Sequence, residues 1–205
     1  RRLATIDRAE PGAPEEHLIA EAAAALIRRG SPDAESLLDG LLMHERVDSF
    51  RIGLQAARDI RAAVFPSLAR VLPNLDAPRR EMIVTLVGDL RDVEGRSLLM
   101  TAVDDPDPAV RAAALRALGP IAGVEGIERL LTALSDGDER IVAAATEAIG
   151  GLQGETVDRA IVERLDADAP QLVIAAARLV AQRRITQAVD RLELLCRIVA
   201  GVGLE

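Results

Sequence analysis

The sequence predicts an all-α fold, a solenoid of about five to six helical hairpins stacked on one another. Three observations carry this prediction. Apolar positions recur with one long period, acidic turns marked by proline alternate with amphipathic stretches, and the composition lacks the large rings that fill β-sandwiches.

The period is 31 residues. DPDPAVRAAALRALG from Asp105, DGDERIVAAATEAIG from Asp136 and ADAPQLVIAAARLVA from Ala167 align without gaps. Val110, Ile141 and Leu172 share one register, as do Leu118, Ile149 and Val180, and Gly88, Gly119, Gly150 and Ala181. The flanking segments repeat too: VEGRSLLMTAVDD (93–105) matches VEGIERLLTALSD (124–136), and ETVDRAIVERLDA (155–167) follows more loosely. Each unit therefore reads as two helices. The first carries Leu130, Leu131 and Leu134 or their equivalents, and the second carries Val110, Ala113, Ala114, Ala117 and Leu118 on one face.

The turn between them begins the second helix. Asp107 precedes Pro108, the order of an N-cap followed by proline in the first turn, and Asp76 and Asp138 hold the same position. Gly123 and Gly154 fall where a second helix should stop. Gly119 and Gly150 lie one turn earlier, where a missing side chain permits close helix crossing. Before residue 75 the pattern degrades, but residues 14–29, 34–42, 50–60, 66–72 and 76–90 still read as helices, as does the stretch from 186 to 199. The expectation is about eleven helices in one domain over residues 13–205, with residues 1–12 as a leader or linker. The chain opens on Arg rather than Met, so it reads as part of a larger protein.

Composition narrows the function. A hydrophobic fraction of 49% suffices for a continuous core, and 1% aromatic content means that core is Ala, Leu, Val and Ile. All 25 basic residues are Arg, which removes a Schiff-base lysine and a phosphate-loop lysine. A net charge of −8 and the near-absence of stacking platforms argue against nucleic acid. A single cysteine, Cys196, precludes an intrachain disulfide and is compatible with a reducing compartment. The apolar run 172–177 is far short of a membrane span, so no membrane insertion is expected within this segment. A cytoplasmic location is expected, the soluble part of a membrane protein being the alternative.

DPDPAVRAAALRALG and its copies resemble HEAT-like repeats of the short bacterial type named after the PBS lyases, most clearly over residues 76–181. The resemblance implies an armadillo-like, right-handed α-α superhelix. Such repeats serve phycobilin lyase subunits, but more often scaffolds and accessory domains. It also implies an Asp–Arg ladder through the turns. Arg80 and Arg111 fit that ladder, whereas Val142 and Val173 interrupt it.

Stacked repeats write rows of equivalent residues. On the outward side of the second helices, one row is Glu81, Ala112, Ala143 and Ile174, and another is Thr85, Arg116, Glu147 and Arg178. An apolar strip beside charged residues suits a partner helix or extended peptide. The competing explanation is that the alanines are good helix formers near a packed face. An acidic row follows the turns: Asp104, Asp105, Asp107, Asp136, Asp138, Asp166 and Asp168. Helix capping accounts for it better than a cation site, because no turn has the calcium-loop order of ligands. His17 and His44 lack a second ligand at metal spacing, and Cys196, in LLCRIV, reads as a buried thiol with no histidine to activate it. No catalytic constellation, metal site or cofactor is expected. The leading function is a non-catalytic protein-interaction scaffold or accessory repeat domain. Bilin attachment and a spacer in a larger signalling or membrane protein are the alternatives.

Overall fold

The computed structural model describes residues 14–29, 31, 33–60 and 64–199. These contain twelve α-helices and no strand. They are α1 (Pro14–Arg28), α2 (Ala34–Leu42), α3 (Val47–Ile60), α4 (Phe65–Val71), α5 (Ala77–Leu90) and α6 (Arg96–Ala102). The second half holds α7 (Pro108–Leu118), α8 (Gly123–Ala133), α9 (Glu139–Gly151), α10 (Glu155–Glu163), α11 (Pro170–Arg183) and α12 (Val189–Val199). The expectation of about eleven was one short. The leader expected at residues 1–12 lies outside the described residues. Short 3₁₀ turns, such as Val93–Gly95 and Arg164–Asp166, shorten α6 and α10 relative to the sequence reading. The chain divides into two compact units between Leu98 and Leu99, within α6.

In the first unit, α1 packs on α2 and α3, α2 pairs with α3 and touches α4, and α5 lies against α3. Both phenylalanines, Phe50 and Phe65, are buried here with Leu38, Leu42, Leu68, Ile83 and Val87. Gly95 sits where a Cβ would come within 2.6 Å of Val87 Cγ1 and 2.9 Å of Phe65 Cε1, so the 3₁₀ turn before α6 is seated directly on this core. Arg79 locks α5 to the turn between α2 and α3. Its guanidinium donates to the His44 carbonyl at 2.8 Å and to that of Glu45, and lies 5.3 Å from the centre of the Phe50 ring.

In the second unit, α9 is central. It packs against α7, α8 and α11, and α10 packs against α11. The contacts are made of small residues. Val110, Ala114 and Leu118 on α7 are buried, as are Ala144, Ala145, Ala148 and Ile149 on α9. A Cβ at Gly119 would lie 3.2 Å from Ala148 Cβ and 3.3 Å from the Ala148 carbonyl oxygen. The close crossing expected at Gly119 is therefore present, and its neighbour is backbone that cannot swing aside. Gly123 has φ of 62°, the left-handed region that ends a helix without Cβ strain. Arg91 and Arg184 adopt the same region at the ends of α5 and α11.

Arg183 is the polar pin of this unit. Its side chain is only 9% exposed. It donates to Asp158 Oδ1 at 2.6 and 2.8 Å, to the Ile149 carbonyl at 3.0 Å and to the Leu152 carbonyl. One guanidinium thus satisfies carbonyls at the C-terminus of α9, favourable with the helix dipole, and a carboxylate on α10.

Three substitutions test these elements. Gly119→Leu should lower unfolding free energy by about 2 kcal/mol through overpacking. Gly40→Ala, in α2 with nothing within 4 Å of its Cβ site, should raise it by about 0.5–1 kcal/mol; denaturant titration followed by circular dichroism reads both. Arg183→Met should cost about 2–4 kcal/mol, since it strands partly buried carbonyls and Asp158 together. Proteolysis near residues 149–158 should accelerate in that variant.

Candidate functional site

In the first unit, the second helices α3 and α5 each present an unburied face. On α3, residues 51, 54, 55 and 58 fall on one side, and on α5 residues 78, 82 and 85 do the same. α5 is started by Asp76, whose carboxylate accepts from the Arg79 N–H at 3.1 Å, and by Pro78 in its first turn. The two faces enclose an open cavity of about 560 Å³. Leu54, Pro78, Met82 and Leu86 give it an apolar surface, and Arg51, Gln55, Arg58, Glu81 and Thr85 supply polar groups. Arg58 is matched by Asp89 at 3.0 Å. Arg51 and Glu81 have no partner among the described residues.

The expected rows distribute as follows. In the first unit, Glu81 and Thr85 are exposed and line the cavity. In the second, Ala143 and Ile174 are exposed, Ile174 at 53%. Ala112 is not: it is 4% exposed, so its expected place on an open strip is corrected. Ala112 to Leu115 are all buried, which leaves α7 little free surface beyond Arg116. Arg116 Nε donates to Glu147 Oε2 at 3.1 Å, so two members of the mixed row neutralise each other. Arg178 is exposed and has no partner among the described residues.

The acidic row is built into the turns. Asp107 accepts from the Ala109 N–H at 2.8 Å and Asp138 from the Arg140 N–H at 2.9 Å, capping α7 and α9. Asp105 and Asp136 each accept, at 2.8 Å, from the N–H two residues on, which fixes the turn before the cap. Asp168 is exposed and caps nothing; α11 begins at Pro170, and its N-cap position is held by Ala169 with no side-chain cap. Arg80 donates to the Leu75 carbonyl at 2.7 Å, and Arg111 to those of Asp105 and Pro106 at 3.0 and 3.1 Å. These arginines clamp turn carbonyls, and the valines that replace them at 142 and 173 cannot. No group of three potential metal-ligating side chains occurs among the described residues.

Asp138 lies in a cationic local field. The Arg140 guanidinium, 2.7 Å away, and the Arg140 N–H together hold its carboxyl down to about 2, with Arg111 adding to the effect.

Two further residues are placed. His44 Nδ1 accepts from the Arg46 N–H at 3.1 Å, a turn contact. The His17 side chain lies outside the described residues. Cys196 is exposed, which corrects the expectation of a buried thiol. It holds the register of Leu134 and Leu165, both 1% exposed, but the face of α12 that carries it is uncovered among the described residues.

Sequence reasoning missed the ion pairs that join neighbouring hairpins. Arg129 pairs with Asp104 and Arg191 with Asp166, in both cases 25 residues apart. The equivalent positions in between are Ser135 and Ala160, and those before are Pro73 and Leu98. Both partners come and go together, a signal present in the repeat alignment.

A family model described as HEAT repeats matches residues 65–150 and, in a second overlapping placement, 95–182. No curated protein matches the chain. HEAT repeats generally serve as protein-interaction scaffolds. No helix among the described residues is long and apolar enough to cross a membrane.

The Asp138 carboxylate gives the turn a pH signature. Its folded-state value lies below the ordinary 3.8, so its contribution to stability is present above about pH 4 and is lost as pH falls towards 2. In Asp138→Asn, acid unfolding followed between those values should show a shallower pH dependence than in the parent chain.

Proposed function

The chain belongs to the HEAT-repeat family, and we propose on that premise that it is a non-catalytic scaffold holding a helical or extended partner segment on its second-helix faces. The observation that carries this reading is the cavity between α3 and α5. It combines an apolar surface of Leu54, Met82 and Leu86 with polar groups left without partners, Arg51 and Glu81. Other exposed charges on these helices find partners, as Arg58 and Arg116 do. Charges without them beside exposed apolar area are what a peptide-binding surface offers. Within the second unit, Ile174 and Ala143 are exposed apolar residues of the same kind. Ala112 takes no part, because a partner cannot reach a residue so deeply buried.

The test is affinity capture of a partner from the source cell, followed by measurement of its affinity for purified variants. Met82→Glu and Ile174→Glu place charges at exposed positions and should leave the helical signal unchanged. Met82→Glu should weaken binding by about tenfold or more, the cost of one buried apolar contact replaced by an unpaired charge. Full affinity in both variants would remove the second-helix faces as the binding site.

A further inference from the structure

The second-helix faces carry unmatched charges, Arg51 and Glu81 in the first unit and Arg178 in the second. The molecule has a net charge of −8, and many of its carboxylates are engaged in caps and ion pairs. In the first unit, Arg58 is matched by Asp89 at 3.0 Å, but Arg51, facing the same cavity as Leu54 and Met82, has no partner among the described residues. The second unit repeats the arrangement independently. Arg116 is matched by Glu147 at 3.1 Å, whereas Arg178 is unmatched and lies one turn after the exposed Ile174 on α11. In each unit, then, one unmatched guanidinium borders an exposed apolar side chain.

Resting on the scaffold reading above, we propose that the partner segment is an amphipathic helix with an acidic flank. Its apolar residues cover Leu54 and Met82, and a carboxylate on its flank meets Arg51. The physical reason is desolvation. A partner that covers Arg51 without supplying a carboxylate strands a buried charge, whereas a carboxylate can pair with the planar guanidinium through two hydrogen bonds. A lysine at that place on the partner is repelled. Glu81, the unmatched carboxylate of the cavity, repels a second acidic group and so fixes which side of the helix carries the acid.

The experiment uses the whole 205-residue chain and two synthetic helical peptides of about 15 residues, long enough to populate helix. Both carry leucines at i, i+4 and i+7; one has glutamates along the flank of that stripe and the other has lysines. Fluorescence anisotropy at low salt reads the affinities. The glutamate peptide should bind about tenfold tighter than the lysine peptide, the preference should shrink with added salt, and Arg51→Glu should reverse the order. Equal binding, a lysine preference, or an Arg51→Glu variant that leaves the glutamate peptide's affinity unchanged overturns the acidic assignment while leaving the interaction face standing. Binding of neither peptide overturns the cavity as a helix-binding site and the acidic assignment with it.

Discussion

Close approach of second helices through small side chains is the constraint on which the second unit depends. α7 and α9 meet where Gly119 faces the backbone of Ala148. A core almost without rings must gain its dispersion energy from many short contacts rather than a few large ones. Alanine provides them: buried Ala114, Ala144, Ala145 and Ala148 hold the helices near one another at little side-chain entropy cost. The first unit solves the same problem differently. It places its two rings, Phe50 and Phe65, in the core and seats Gly95 against one of them.

Polar groups then settle the ends of the helices. Paired aspartates, one bonding the turn and the next capping the helix, start α7 and α9. Arginines take up the free carbonyls: Arg79, Arg80 and Arg111 donate to carbonyls in turns, and Arg183 to the C-terminus of α9. A composition with arginine as its only strong base suits this work, because a planar fork reaches two or three acceptors at once. The exposed ion pairs between hairpins add at most about 1 kcal/mol each, so they set register more than stability.

Packing and capping leave part of the surface of the second helices free. Arg51, Glu81 and Arg178 are exposed side chains that neither task engages. Their position beside Met82 and Ile174 is why the scaffold reading points to these faces rather than to the acidic turns, whose carboxylates already bond Ala109 N–H, Arg140 and Arg129.

The sequence by itself determined the hairpin period, the caps at Asp76, Asp107 and Asp138, the close crossing at Gly119 and the helical class, because each is local or repeats with fixed spacing. It also placed Glu81 and Thr85 on an open face. Only the tertiary structure decided that Ala112 is buried while Ala143, in the same register, is exposed, and that Cys196 is exposed where Leu134 is buried. The physical reason is that register fixes the direction of a side chain relative to its own helix, whereas burial depends on what lies against that helix, and this differs from one repeat to the next. The same limit hid Arg183: its partners lie 25 to 34 residues away, and no local pattern marks an arginine that joins three helices.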